Sequence, residues 1–275
     1  MKFFRYVFLF IILLPLSSVF LFSSSFGNGS KNTIELTRNN LIFLRGPVES
    51  TNASLIIEKI FSSDEPEMIF YIDSPGGSVD DGLKIIEAMK GSGKKFVCIA
   101  NFAASMAFSI FQQCDVRNVL DSSILMQHIG SFEVRGQANH VNSLVTLVND
   151  SFQYLNKIDS ERIGITVEEL QKKIQNDWWI LGSHNLKEKT ADSIVQVRCS
   201  SDLSKGRIIE DIDVPMFGIK LKVEYSECPI VTDPLKIEVT PTKIKDPVKA
   251  EKVKEYLKFF YKAYFKDAIK KINIK

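Results

Sequence analysis

The chain has 275 residues, 45% of them apolar and 25% charged, with 14 Gly, 9 Pro and 4 Cys. That is ordinary globular composition, and it excludes a disordered chain, a collagen and a disulfide-dense mini-protein. The formal charge of +2 is unevenly held: residues 1–25 carry Lys2 and Arg5 and no acid, and residues 241–275 carry 11 Lys against 4 acids, so the remainder is mildly acidic. A general nucleic-acid-binding body is therefore not expected.

In chain order, a cationic start (Met1-Lys2-Phe3-Phe4-Arg5) precedes an apolar run from Tyr6 to Phe22 and then Ser23-Ser24-Ser25. This is the pattern of a secretory signal peptide, expected over residues 1–25. The run has 17 residues and contains Pro15, short for a spanning helix, with an uncleaved N-terminal anchor as the alternative. Export to a periplasmic or extracellular space follows, away from cytosolic ATP. Export also permits disulfides. Cys98, inside the apolar run Phe96 to Ala100, reads as a buried free thiol. Cys199 and Cys228 could pair with each other, or all four thiols could stay unpaired, because spacing does not fix connectivity.

After a Ser/Gly/Asn spacer, strand-like and helix-like stretches alternate. Asn40 to Gly46 reads as a strand, and Ser50 to Ser62 as a helix with Leu55, Ile56, Ile60 and Phe61 on one face. Met68 to Ile72 is apolar throughout, as in a strand covered on both sides. Asp73 to Ser78 is a Pro-Gly-Gly turn, and Val79 to Lys90 has helical spacing. Lys95 to Ala100 reads as a second buried strand, Phe102 to Gln113 as a buried helix and Ser123 to Gln127 as a strand. Val141 to Arg162 is a long amphipathic helix with a stripe of Leu144, Leu147, Val148, Phe152, Leu155 and Ile158. Repeated βα units predict an α/β core with parallel strands.

Beyond Ser200, strand-like alternation marks Arg207 to Asp213, Gly218 to Tyr225 and Leu235 to Val239. Pro247 to Ile274 is expected to be a Lys-rich amphipathic helix. Its lysines either solvate a helix packed on its own domain or give peripheral contact with an anionic membrane.

Three segments carry candidate chemistry. Asp73-Ser74-Pro75-Gly76-Gly77-Ser78 lies between a strand and a helix, where glycines let backbone N–H groups face developing negative charge. It is also explained by turn chemistry alone. Ser105, in Ala103-Ala104-Ser105-Met106-Ala107, heads a helix with room beside its hydroxyl; it is either a nucleophile or an N-cap. His128 ends an apolar strand and is one of only three histidines, with His140 and His184. It is either structural or the base that a serine nucleophile needs.

Together these segments resemble the proteolytic subunit of the Clp protease (ClpP), within the ClpP/crotonase superfamily. The resemblance runs from Leu41 to Val195. It rests on Ile42-Phe43-Leu44-Arg45-Gly46-Pro47-Val48-Glu49, Tyr71-Ile72-Asp73-Ser74-Pro75-Gly76-Gly77, Ala103-Ala104-Ser105-Met106, Met126-Gln127-His128 and Arg135-Gly136-Gln137-Ala138. It implies a core of repeated ββα units in a spiral, with a small C-terminal extension of strands and a helix. A peptidase domain over 33–198 and an extension over 199–275 are then expected. The resemblance makes Ser105 the nucleophile, His128 its general base, and the Gly77 and Met106 N–H groups the oxyanion hole. It implies peptide or unfolded-protein substrates, no cofactor, no metal, and homo-oligomers assembled through the helix from Val141. An exported chain would have no ATPase partner.

One position departs from the pattern. Aligning Trp178-Trp179-Ile180-Leu181 and Ala191-Asp192-Ser193-Ile194 without a gap puts Lys173 where the family places its triad aspartate. Asp177 or Asp150 could substitute, or the enzyme runs as a Ser–His pair, or it has lost activity and serves as a scaffold or binding protein. Lys157 is the candidate for a Ser–Lys arrangement. Acyl-CoA chemistry on the same fold ranks below these, because CoA is cytosolic.

Overall fold

The computed structural model describes residues 32–214, 219–241, 252 and 272–274. The expected signal peptide, residues 1–25, lies outside them, as does most of the expected helix from Pro247 to Ile274. In chain order the elements are β1 (Thr33–Leu36), β2 (Leu41–Arg45), α1 (Ser50–Ser62), β3 (Glu67–Ser74), α2 (Val79–Gly91), β4 (Lys95–Ala104) and α3 (Met106–Gln112). There follow β5 (Val116–Gln127), α4 (Ala138–Ile163), α5 (Val167–Ile174), β6 (Trp178–Leu181), α6 (His184–Lys187), β7 (Ser193–Ile194), β8 (Gln196–Cys199) and α7 (Ser201–Lys205). The C-terminal strands are β9 (Arg207–Val214), β10 (Ile219–Ser226), β11 (Lys236–Pro241) and β12 (Ile272–Ile274).

The central sheet runs β2-β3-β4-β5-β6, with β7 also pairing with β5. Its first four strands are parallel, and β6 is antiparallel. Alternate residues of each strand point to opposite faces. Ile42, Leu44, Met68, Phe70, Ile72, Cys98 and Ala100 therefore meet α1, α2, α3 and α4 in the main core. Leu41, Ile69, Tyr71 and Ile99 face the other way, onto Leu36, Val195 and Leu203 of β1, the β8 approach and α7. The fold is mixed α/β, as expected.

Several boundaries shift. The strand expected over Lys95–Ala100 continues to Ala104, and α3 starts only at Met106 rather than Phe102. The extension is possible because the ladder skips Asn101: Ile72 pairs with Ala100 and Asp73 with Phe102. Such a bulge re-aims a strand, and here it delivers the chain to Ser105. The α1 stripe is narrower than expected. Ala53, Ile56 and Ile60 are buried, whereas Leu55 and Phe61 are exposed, since one helix face against a sheet accommodates fewer positions. On α4, Leu155 is buried but Leu147 is exposed, because the first half of that helix projects past the core. At the far C-terminus, Ile272–Ile274 is strand β12 paired parallel with β11, not helix.

The cysteines also depart from the reading of Cys98 as a free thiol. Cys98 is bonded to Cys114 and Cys199 to Cys228. The first pair was hidden because Cys114 follows α3, and only the return of that helix over β4 brings it to Cys98. The second staples the end of β8, before α7, to the segment just after β10. The three stretches beyond Ser200 whose alternation indicated strands are β9, β10 and β11, and they pair antiparallel. Arg45 of β2 donates to the carbonyls of Pro229 and Val231, tying the segment after β10 to the central sheet.

Candidate active site

The turn between β3 and α2 is held by β-type hydrogen bonds to Val48: Val48 N–H donates to Gly76 O, and Ser78 N–H to Val48 O, each at 2.8 Å. Gly76 (φ 88°) and Gly77 (φ 148°) supply backbone angles that side chains rarely adopt. A Cβ on Gly76 would lie 2.5 Å from Ala104 O and 2.7 Å from Ser105 Cβ, and one on Gly77 would strike the Val48 carbonyl. Glycine is thus required at both positions for the turn to touch the segment bearing the serine. The Ser78 side chain caps α2 by accepting from Asp81 N–H.

Ser105 sits between the last residue of β4 and the first of α3 with φ 55° and ψ −123°. A non-glycine residue held there stores about 1–3 kcal/mol of strain, which the surrounding structure must impose. Two constraints do so. Ser105 N–H donates to Met126 O at 2.8 Å, and all seven residues of α3 are buried. The strained turn lifts the hydroxyl out of the backbone, and Ser105 does not cap its helix.

His128, immediately after β5, places Nε2 2.8 Å from Ser105 Oγ. His140 and His184 are exposed. Ser105 and His128 open onto a cavity of about 700 Å³ that Gly77 and Met106 also line. Among the described residues neither the Gly77 nor the Met106 N–H has a hydrogen-bond acceptor. Val79, Phe152, Leu155 and Ile174 give the cavity apolar walls, and Glu168, Gln171, Lys172 and Gln175 give it a polar edge from α5.

A Clp protease family model matches residues 28–198. The chain belongs to the Clp protease family. It is also 29% identical over 170 residues to the ATP-dependent Clp protease proteolytic subunit 1 of Prochlorococcus marinus (strain NATL2A), covering 59% of this chain and 87% of that relative. The fold of this Clp protease family member is accordingly a serine peptidase scaffold.

The third-member candidates lie elsewhere. Lys173, which the sequence reading set at the position of the triad aspartate, pairs with Glu188 at 2.6 Å and sits 4.7 Å from the centre of the Trp178 ring. Asp177 is exposed in the turn before β6 with φ 52°. Asp150 and Lys157 are exposed on α4. Among the described residues no carboxylate hydrogen bonds to the His128 ring.

Sequence reasoning missed a polar cluster beneath this pair. Asp159 of α4 is fully buried, and its Oδ2 accepts from Ser109 Oγ at 2.7 Å and Gln127 Nε2 at 3.2 Å. Gln127 Nε2 also donates to Ser109 Oγ at 3.1 Å, and Gln127 Oε1 accepts from the His128 N–H at 3.1 Å. Burial pushes the Asp159 carboxyl up to about 7, with Ser109, Gln127 and the neighbouring Gln113 amide pulling it the other way. The available signal was a carboxylate four residues after Leu155 and four before Ile163, on the buried stripe of a helix.

Proposed function

We propose that this chain is an exported serine peptidase that cleaves peptide bonds through an acyl-enzyme, with Ser105 as nucleophile and His128 as base. The 2.8 Å approach of His128 Nε2 to the strained Ser105 hydroxyl carries the reading. In the reaction, Ser105 Oγ attacks the scissile carbonyl while its proton passes to His128 Nε2. The oxyanion points to the N–H groups of Gly77 and Met106, and such donors are worth about 10²–10³ in rate each. Collapse expels the amine, which takes the proton from His128. Water activated by the same imidazole then releases the acyl group. The pair works without a ring-orienting carboxylate, at a cost that reaches about 10⁴ where such a group is removed from a triad.

Export is supported by the N-terminal cationic and apolar pattern and by two disulfides, which persist in oxidising compartments. In this reading residues 1–25 are a leader, 33–198 the peptidase domain and 199–275 an appended extension. Peptides or unfolded chains are the substrates, and no ATPase feeds the site. Copies assemble through the exposed first half of α4.

The lack, among the described residues, of a carboxylate bonded to the His128 ring favours a second reading, a catalytically impaired scaffold. A serine-directed phosphonate separates the two. Labelling of the mature protein that disappears in Ser105→Ala supports the peptidase. No labelling of the wild type, with labelling gained in Lys173→Asp, would establish the scaffold instead.

A further inference from the structure

We propose that Asp159 is the carboxylate that positions His128 in this chain, acting on the histidine's backbone through the Gln127 side chain rather than on its ring. An ionised carboxylate only accepts hydrogen bonds. Asp159 Oδ2 therefore fixes the amide end of Gln127 toward itself and Ser109, and the opposite end, Oε1, is left facing the His128 N–H. The polarity of the relay is set by its charged member, and charge-assisted bonds are the stronger kind. The Ser109 N–H donates to the Ser105 carbonyl at 3.3 Å, and both residues line the cavity. One carboxylate thus braces both the helix that presents the nucleophile and the strand end that presents the base.

Leu155 and Ile163 flank Asp159 on α4, and both are buried. A buried ionisable group without a cationic partner is costly, so its presence calls for a compensating role. Asp159 Oδ1 and Gln113 Nε2 are buried without a hydrogen-bond partner among the described residues.

The groups facing Asp159 are neutral: Ser109 and Gln113 from the α3 side and Gln127 from β5, with His128 beyond it. On α5, which packs against α4, Glu168, Glu169 and Lys172 are exposed and Lys173 is held by Glu188. On α4 itself, Arg162 donates to the carbonyls of Cys114 and Asp115 and pairs with Asp192. When Asp159 takes up a proton, the amide of Gln127 loses its fixed orientation and the His128 backbone its anchor. Activity then depends on the ionisation of Asp159.

The inference rests on the peptidase reading for its kinetic arm only. With three histidines in the chain, selective ¹⁵N-histidine labelling gives a short spectrum in which the His128 amide can be followed from pH 5 to 9 without catalysis. In Ser105→Ala the amide should show a titration step that is missing in Ser105→Ala/Asp159→Asn. Identical titration in both would overturn the proposal. Kinetically, Asp159→Asn and Gln127→Leu should each slow phosphonate labelling of Ser105 about tenfold at pH 8, with no further loss in the double variant. Asp159→Asn should do so without lowering the unfolding temperature. Slower labelling that tracks a lower unfolding temperature, with the titration unchanged, would make Asp159 merely structural and overturn the proposal. Absence of wild-type labelling would remove the peptidase reading, and the amide titration would still decide the positioning role.

Discussion

Asp192 and Asp159 are two carboxylates drawn into the same domain on different terms. Asp192 stands at the edge of the core against Arg117, whose side chain is 4% exposed and whose Nη2 lies 2.6 Å away. Partial burial raises the Asp192 carboxyl, but the hydrogen bonds and charge of Arg117 outweigh that and hold it below its ordinary range. Gln112 Oε1 accepts a further hydrogen bond from Arg117 Nη1, so this cluster closes on itself and pins β5 to the segment before β7. Asp159 has only neutral partners and sits at the raised end of the range. The first arrangement serves the fold. The second spends stability beside the candidate active site, which is where such an expense is informative.

The contrast can be broken by substitutions of opposite sign. Asp192→Ala leaves Arg117 buried with only Gln112, and should destabilise the protein by about 3–5 kcal/mol in denaturant unfolding. Asp159→Asn should stabilise it by about 2 kcal/mol at pH 8, because burial holds the Asp159 carboxyl well above its ordinary range. The sign follows from a folded-state value above the unfolded one. Wild-type stability from this group is full below about pH 4 and is lost as pH rises towards about 7. The gain in Asp159→Asn should therefore vanish in acid and level off above pH 8. A variant that is less stable at every pH would contradict this account of Asp159. Lys173→Met, removing a half-exposed ion pair, should cost under about 1 kcal/mol and leave phosphonate labelling unchanged, because its amine is engaged by Glu188 and Trp178 rather than by His128.

Much of this organisation was legible in the residues. Apolar runs and Pro-Gly-Gly punctuation located β3 and α2, the small residues around Ser105 located the turn into α3, and the spacing of the three motifs indicated the family. What stayed hidden depends on tertiary return. No local pattern shows that a bulge at Asn101 carries β4 on to Ala104, or that the end of α3 brings Cys114 back to Cys98. Gln127 was visible only as the neighbour of a histidine. Its role depends on a carboxylate 32 residues away. The stripe on α4 was read by its apolar members, and the carboxylate buried on the same helix, Asp159, was passed over.

The disulfide between Cys98 and Cys114 spans 16 positions of sequence, and Ser105 and the whole of α3 lie inside that loop. Both cysteines are sealed in the core, at 0% and 1% exposure. An oxidant must therefore reach the two thiols before the helical layer closes over the sheet, so the bond records the order of events during maturation. A chain that folds first in a reducing compartment would shelter a dithiol from later oxidation, two hydrogens heavier and open to alkylation only after unfolding. The redox history of each molecule would then be written around its candidate nucleophile, readable by mass long after the compartment that set it has been left.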